Sequence, residues 1–281
     1  KMMKPAIEDE FIDILSKAST GQGLGAREDA ERAGLEEEQV RALKDGRFDA
    51  AVARKVAHVL GLDEDAFVEA GEGTYDPAEP PVDNLKRITT PFPVPGYEEM
   101  TVNAYLASDP QAGVAVAFDS GAHAGPLIKE IRDSGLTLKA VFLTHTHRDH
   151  IADLERLLRE NDHPPLYVSE NEPHAGAGTI AHKQRFSFGG LTIEARSTPG
   201  HSPGGMTYQI DGLERPVAVV GDAVFAGSIG GASSQYEDAL RAIEEQILSL
   251  NPETVLCPGH GPMRTLADER RHNPFLAAMG G

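Results

Sequence analysis

The fold and the chemistry of this 281-residue sequence follow from one stretch, Thr144-His145-Thr146-His147-Arg148-Asp149-His150. The apolar run before it, residues 139–144, is rich in β-forming side chains and predicts a buried strand. Residues 151–160 carry apolar side chains at helical spacing and predict a helix. The motif therefore lies in a loop between a strand and a helix, where functional side chains concentrate. Its imidazoles and its carboxylate are ligand types that divalent zinc, manganese and iron accept.

Three later stretches repeat this arrangement of an apolar strand followed by a side chain that can bind a metal. The strand predicted at 191–197 precedes His201, the strand at 216–221 precedes Asp222, and the strand at 254–257 precedes His260. Glycine and proline flank these positions, which allows close backbone approach and fixed loop geometry. Such side chains at four strand ends of one chain predict a shared metal site at the edge of a sheet.

The remaining pattern after residue 84 alternates short strands with helices. Further strands are predicted at 84–90, 101–108, 113–119, 165–169, 184–188 and 206–211, and further helices at 125–134 and 235–250. This order indicates two sheets covered by helices rather than a strictly alternating Rossmann unit. No glycine-rich nucleotide-binding loop of the common spacings is present.

The HxHxDH motif at 145–150, the later His201, the Gly-Asp pair at 221–222 and the Gly-His-Gly at 259–261 together resemble the metallo-β-lactamase fold hydrolases. Within them the sequence is most similar to the glyoxalase II-like (hydroxyacylglutathione hydrolase-like) branch, over about residues 84–275. The resemblance implies a mixed α/β (α+β) fold, a four-layer αββα sandwich with metals at one edge.

The resemblance also implies two metal sites that share one carboxylate. The first ion would be held by His145, His147 and His201, the second by Asp149, His150 and His260, with Asp222 bridging them. Seven ligands suit two divalent ions with open or bridged positions, which is the catalytic pattern. Zinc is the first choice for both ions, with iron and manganese as alternatives.

The expected activity is metal-assisted hydrolysis, in which a metal-bridging hydroxide attacks a carbonyl carbon and Asp149 or Asp222 accepts the proton. By the resemblance, the substrate is a small anionic thioester of the acyl-glutathione type. The alternative enzyme is a mononuclear iron persulfide dioxygenase, because His145, His201 and Asp222 would form the two-histidine, one-carboxylate set of oxygen-activating iron.

The N-terminal residues predict a small all-α domain at 1–73, followed by a linker at 74–83 and the hydrolase domain at 84–281. Helices are predicted at 11–18, 26–33, 36–44, 50–60 and 64–70, and residues 10–70 resemble the lambda-repressor-like helix-turn-helix family. Residues 1–73 carry 10 basic and 17 acidic side chains, a net charge of −7, which disfavours DNA binding. A docking module or a homodimer interface is the favoured role, and a ligand-sensing regulator whose N-terminal domain binds DNA is the alternative.

Composition limits the partners of the whole chain. The formal net charge of −18 argues against nucleic acids and anionic membranes, since both require a positive surface. No apolar run approaches the ~18 residues of a membrane span, and residues 1–10 contain no apolar segment typical of a signal peptide. The only cysteine is Cys257, which excludes an intramolecular disulfide. These features favour a cytoplasmic protein.

Overall fold

The computed structural model describes residues 6–232 and 234–280. The helices of these residues are α1 (Phe11–Gly21), α2 (Ala26–Ala33), α3 (Glu37–Lys44), α4 (Ala50–Leu60), α5 (Glu64–Glu72), α6 (Gly125–Ser134), α7 (Arg148–Ile151), α8 (Leu154–Arg159), α9 (Tyr236–Gln246), α10 (Leu266–His272) and α11 (Pro274–Met279). None of them is both long and apolar enough to cross a lipid bilayer, a finding that covers the described residues.

The strands are β1 (Leu85–Pro91), β2 (Thr101–Asp109), β3 (Val114–Phe118), β4 (Thr137–Phe142), β5 (Leu166–Ser169), β6 (Gly178–Ile180), β7 (Arg185–Phe188), β8 (Leu191–Ser197), β9 (Met206–Asp211), β10 (Val217–Gly221), β11 (Val224–Phe225), β12 (Ser228–Ile229), β13 (Val255–Pro258) and β14 (Arg264–Thr265). They form one sheet of order β1-β2-β3-β4-β5-β6, a second of order β14-β13-β10-β9-β8-β7, and the small pair β11-β12.

Strand direction brings the motif-bearing loops to one edge. In the second sheet β8 and β10 are both antiparallel to β9, and β10 is parallel to β13. The strands β8, β10 and β13 therefore run the same way, so the loops that follow them leave the sheet at the same edge. In the first sheet β3 and β4 are parallel, so the loops that follow them also leave that sheet together.

Three buried cores separate four layers. Phe142 of the first sheet and Tyr208 of the second lie in the core between the sheets, with ring centroids 5.2 Å apart. The outer face of the first sheet packs on α6 and α8, where Leu127 and Leu157 are fully buried. The outer face of the second sheet is covered by α9, α10 and α11, with Ile243 in that core. This is the αββα sandwich that the sequence predicts.

The N-terminal helices share the core on the outer face of the second sheet. Phe67 of α5 and Phe275 of α11 belong to the same buried cluster, and the backbone N–H of Asp63 donates to the carbonyl of Pro274 at 2.8 Å. The segment 74–83 contains no helix or strand. The division of the chain into two domains at this segment stays a prediction.

Two predicted helices were wrong in extent. The helix expected at 151–160 is two short helices, α7 and α8, and α7 already begins at Arg148 inside the motif. The helix expected at 235–250 ends at Gln246, where the N–H of Leu248 turns back to the carbonyl of Ile243 at 2.9 Å. Leu248 stays buried after the helix has ended, so the apolar spacing continues past the last turn.

Candidate metal centre

The structure brings together all the side chains that the sequence predicts as metal ligands. They follow the strands β4, β8, β10 and β13, two of them within α7, and they are His145, His147, Asp149, His150, His201, Asp222 and His260. Their ligand atoms form three groups, and within each group the atoms all lie within 4.8 Å of one another. The groups are His145, His147 and His201; His145, His150 and Asp222; and Asp149, His150 and His260.

The carboxylate of Asp222 lies between the group that contains His201 and the group that contains His260. Its Oδ2 is 3.4 Å from Nε2 of His201 and 3.3 Å from Nε2 of His260, and its Oδ1 is 3.3 Å from Nε2 of His150. Nε2 of His260 is also 3.3 Å from Oδ2 of Asp149. A single carboxylate thus faces histidines of both groups, and its role as a ligand shared by two ions stays a prediction.

The outward nitrogens of four histidines are held by fixed partners. Nδ1 of His145 is 3.0 Å from the hydroxyl of Thr144, and Nδ1 of His201 is 3.1 Å from the carbonyl of Gly231. The other two pairs are His150 with Asp119 at 2.8 Å and His260 with the carbonyl of Thr101 at 2.6 Å. Such partners orient a ring and leave Nε2 directed into the centre.

The inward atoms fit a cation. Among the described residues, Nε2 of His145, Nε2 of His150 and Oδ1 of Asp222 are buried without a hydrogen-bond partner. Buried polar atoms rarely stay unpaired, because losing water without a replacement costs free energy. A Cβ on Gly259 would lie 2.1 Å from Oδ1 of Asp222, so this glycine leaves the centre free. Unpaired ligand atoms that converge in this way are suited to bind metal ions.

The protonation of the rings differs within the centre. Burial, and then the neighbouring His150, holds the pKa of His145 well below its usual range, so this ring is neutral as a ligand must be. Burial alone would lower the pKa of His150, but the carboxylates of Asp222 and Asp119 outweigh it and raise that pKa to about 10. Burial is likewise outweighed at His260, chiefly by Asp222, and the pKa is about 11. A metal ion would replace protons at these two rings.

Asp119 is a functional residue that sequence reasoning missed. Its two carboxylate oxygens accept from the backbone N–H and the hydroxyl of Thr144, each at 2.8 Å, and one of them faces Nδ1 of His150. Its backbone adopts a left-handed conformation, with φ 60°. The apolar pattern of residues 113–119 predicts only a strand. The missed signal was a carboxylate at the end of an apolar strand, as at Asp222.

Comparisons with known proteins agree with this geometry. A family model described as the metallo-beta-lactamase superfamily matches residues 97–260. The chain is 32% identical over 201 residues to the probable metallo-hydrolase M6_Spy0554 of Streptococcus pyogenes, covering 62% of this chain and 85% of that protein. It is 28% identical over 209 residues to the hydroxyacylglutathione hydrolase GloC of Haemophilus influenzae, covering 66% of this chain and 96% of that protein.

Solved structures show the same likeness. The B3 metallo-beta-lactamase BLEG-1 superposes with a TM-score of 0.58 at 27% identity, covering 67% of this chain and 99% of that one. The protein TTHA1623, crystallised in a di-iron-bound form, superposes with a TM-score of 0.52 at 27% identity, covering 66% of this chain and all of that one (100%).

Proposed function

The chain belongs to the metallo-beta-lactamase superfamily and is a metallo-hydrolase by its relatives, and from this we propose that it is a thioesterase of the glyoxalase II type. Its substrates would be small anionic thioesters such as acyl-glutathione. The observation that carries the proposal is the convergence of five imidazoles and two carboxylates, among which His145, His150 and Asp222 each have a buried inward atom without a hydrogen-bond partner. The similarity to the hydroxyacylglutathione hydrolase of Haemophilus influenzae supports the choice of substrate class.

We assign two ions to the centre. His145, His147 and His201 would hold the first, Asp149, His150 and His260 the second, with Asp222 between them. The mixture of imidazole and carboxylate suits zinc, iron or manganese. Zinc is the first choice, and the di-iron form of TTHA1623 supports iron as the alternative.

When bound, such ions lower the pKa of water from 15.7 to about 7 and stabilise the negative charge that develops on a carbonyl oxygen. The protein supplies the approach and the proton acceptor. His145 and His150 are buried, whereas His147 is exposed and His201 is half-buried, so a thioester would enter from the side of the latter two. Burial has the largest single effect on the pKa of Asp149 and raises it, but the hydrogen bond to His260 and the charges of His150 and His260 together hold the pKa below its usual value. The carboxylate is therefore ionised and able to accept a proton.

Metal content and activity measured on one sample test the proposal. Purified protein should contain two divalent ions per chain and hydrolyse S-lactoylglutathione, with a β-lactam as the comparison substrate. His147→Ala should abolish turnover and reduce bound metal, because it removes a ligand that only the first group contains. His58→Ala, which changes an exposed histidine on α4, is the matched control. Full activity in His147→Ala, or cleavage of the β-lactam alone, would contradict the proposal.

An iron persulfide dioxygenase is the second candidate, because the two histidines and one carboxylate that it needs as iron ligands, His145, His201 and Asp222, also lie close together. Oδ2 of Asp222 is 3.9 Å from Nε2 of His145 and 3.4 Å from Nε2 of His201. One iron per chain, with oxygen uptake on addition of glutathione persulfide, would replace the hydrolase by this activity.

A further inference from the structure

A carboxylate outside the ligand set connects two of the loops that carry it. Oε1 of Glu172 accepts the backbone N–H of Thr146 at 2.7 Å and the hydroxyl of Thr146 at 2.5 Å. Its other oxygen, Oε2, accepts the backbone N–H of Gly204 at 3.0 Å. Thr146 lies between His145 and His147, and Gly204 lies three residues after His201.

The packing around Glu172 leaves little freedom for either loop. A Cβ on Gly204 would lie 2.3 Å from Cβ of Glu172 and 2.9 Å from its backbone nitrogen, so the two backbones are in close contact. Glu172 itself follows β5 in a turn closed by its N–H to the carbonyl of Ser169 at 3.1 Å. Glu172 is therefore anchored next to β5 of the first sheet, and its carboxylate holds the loop that follows β8 of the second sheet.

The direction of the side chains makes this contact specific. Successive side chains of extended backbone point to opposite sides. His145 and His147 direct their rings into the metal centre, and Thr146 between them contacts Glu172. The carboxylate of Glu172 thus holds the segment between His145 and His147 through Thr146, and it holds the loop of His201 through Gly204.

We propose that Glu172 is a positioning residue for the ion held by His145, His147 and His201, and that it acts by fixing the distance between their two loops. The inference rests on the proposed function, in which these three histidines bind one of two ions. It predicts that Glu172 matters more for the first ion than for the second. Glu172 bonds to Thr146, between two ligands of the first ion, and to Gly204, in the loop of the third, whereas the second ion shares only the 145–150 loop with these contacts.

The test compares Zn²⁺ affinity, measured by chelator competition, in the wild type, Glu172→Gln and the control Glu170→Gln. Glutamine keeps the shape, but its amide nitrogen must face the N–H of either Thr146 or Gly204. Partners of ligand-bearing groups are typically worth about 10- to 100-fold in metal affinity. Glu172→Gln should therefore weaken one of two binding steps by about that factor. Glu170 is exposed and two residues away, so Glu170→Gln should bind both ions as the wild type does.

Double variants identify which ion is affected. In a His147→Ala background, where the first ion is already lost, Glu172→Gln should cause no further loss. In a His260→Ala background it should still weaken the remaining ion. Thermal melting of the metal-free proteins shows whether each variant is folded. If Glu172→Gln does not fold, Thr146→Val takes its place, because it removes one donor and keeps the backbone N–H; a smaller loss on the same ion is then expected.

The outcomes separate the inference from the proposed function. Two ions bound with wild-type affinity by folded Glu172→Gln, or equal loss of both ions, would overturn the inference and leave the thioesterase proposal standing. A wild type that binds fewer than two ions would overturn both. Selective weakening of the first ion, with unchanged binding in Glu170→Gln, supports the positioning role.

Discussion

At the scale of single residues, Asp119 shows how an inner carboxylate orients a ligand. Asp119→Asn keeps the size of the side chain, and asparagine tolerates the left-handed backbone at this position. The change removes the charge that faces Nδ1 of His150, so we expect the metal affinity to fall by about 10- to 100-fold. Metal titration by calorimetry measures the loss. The control is Asp133→Asn, which removes an exposed carboxylate on α6; equal affinity in the two variants would contradict the role.

Proton release on metal binding is a second residue-scale prediction. The pKa of His150, about 10, and that of His260, about 11, keep both rings protonated at neutral pH when no ion is present. An ion must displace these protons, so its apparent affinity should rise as the pH rises. Calorimetric titrations at pH 7 in buffers of different ionisation enthalpy measure the number released. Affinity that does not change with pH, without proton release, would show that the two rings are neutral before the ion binds.

The residues of the centre differ in how far the sequence predicts them. Asp222 directly follows a buried apolar strand, and His260 comes two residues after another. The three histidines of the 145–150 motif are close in sequence, so local pattern was sufficient to predict all of these residues. Asp119 and Glu172 act through hydrogen bonds to residues 25 or more positions away in the chain. The position of Asp119 at the end of an apolar strand was a local signal, but the partners of both carboxylates depend on which strands become neighbours, and the local sequence does not specify this.

At the scale of elements, helix α1 reaches the loop that supports His201. The Nζ of Lys17 donates to the carbonyl of Ile229 at 2.8 Å and lies 5.0 Å from the ring centroid of Phe225. Two residues after Ile229, the carbonyl of Gly231 pairs with Nδ1 of His201. A helix outside the matched family region thus contacts the rim of the centre.

Lys17→Met tests this contact, because methionine keeps the apolar stem and removes the donor. We expect the free energy of unfolding to fall by about 1 kcal/mol, and kcat/KM to fall by about fivefold as the loop loosens. Chemical denaturation and steady-state kinetics measure the two effects. Lys55→Met, at an exposed position on α4, should change neither. Unchanged kinetics in Lys17→Met would mean that α1 supports the fold but not the site.

The elements themselves were predictable where their pattern is long. The helix α4 and the strand β8 lie at the predicted bounds, because apolar spacing and flanking turn residues define them. The strand β13 lies within one residue of its predicted bounds, but β6, β11, β12 and β14 were not foreseen, because two or three residues are too few to show a period. Their conformation depends on pairing with a partner strand.

At the scale of the whole molecule, the N-terminal helices and the second sheet share one buried core. Phe67 is fully buried in the cluster that contains Ile243 and Phe275. On the outside, Nδ1 of His272 is 2.7 Å from the carboxylate of Glu69, which joins α10 to α5. These contacts indicate that the helices stabilise the hydrolase part of the chain. Whether residues 1–73 also mediate dimerisation or bind DNA stays a prediction; a native mass and a mobility-shift assay at low salt test these roles.

Phe67→Ala tests the shared core. Truncating a buried phenylalanine leaves a cavity and typically costs about 3–5 kcal/mol, and here the cavity would open against the helices that cover the second sheet. We expect one cooperative unfolding transition, shifted to lower temperature, in which helical circular dichroism and hydrolase activity are lost together. Lys55→Ala, on the exposed face of α4, is the control and should melt with the wild type.

Unfolding of Phe67→Ala in two steps would instead support the predicted domain boundary at 74–83. If Phe67→Ala melts in two steps and activity survives the first, the helices before residue 74 are an independent domain, and the segment 74–83 is a linker in the functional sense. If activity and helical signal are lost in one step, the centre depends on residues far outside the matched region 97–260. The shared buried cluster favours the second outcome, since removing support from one side of a close-packed core destabilises the other.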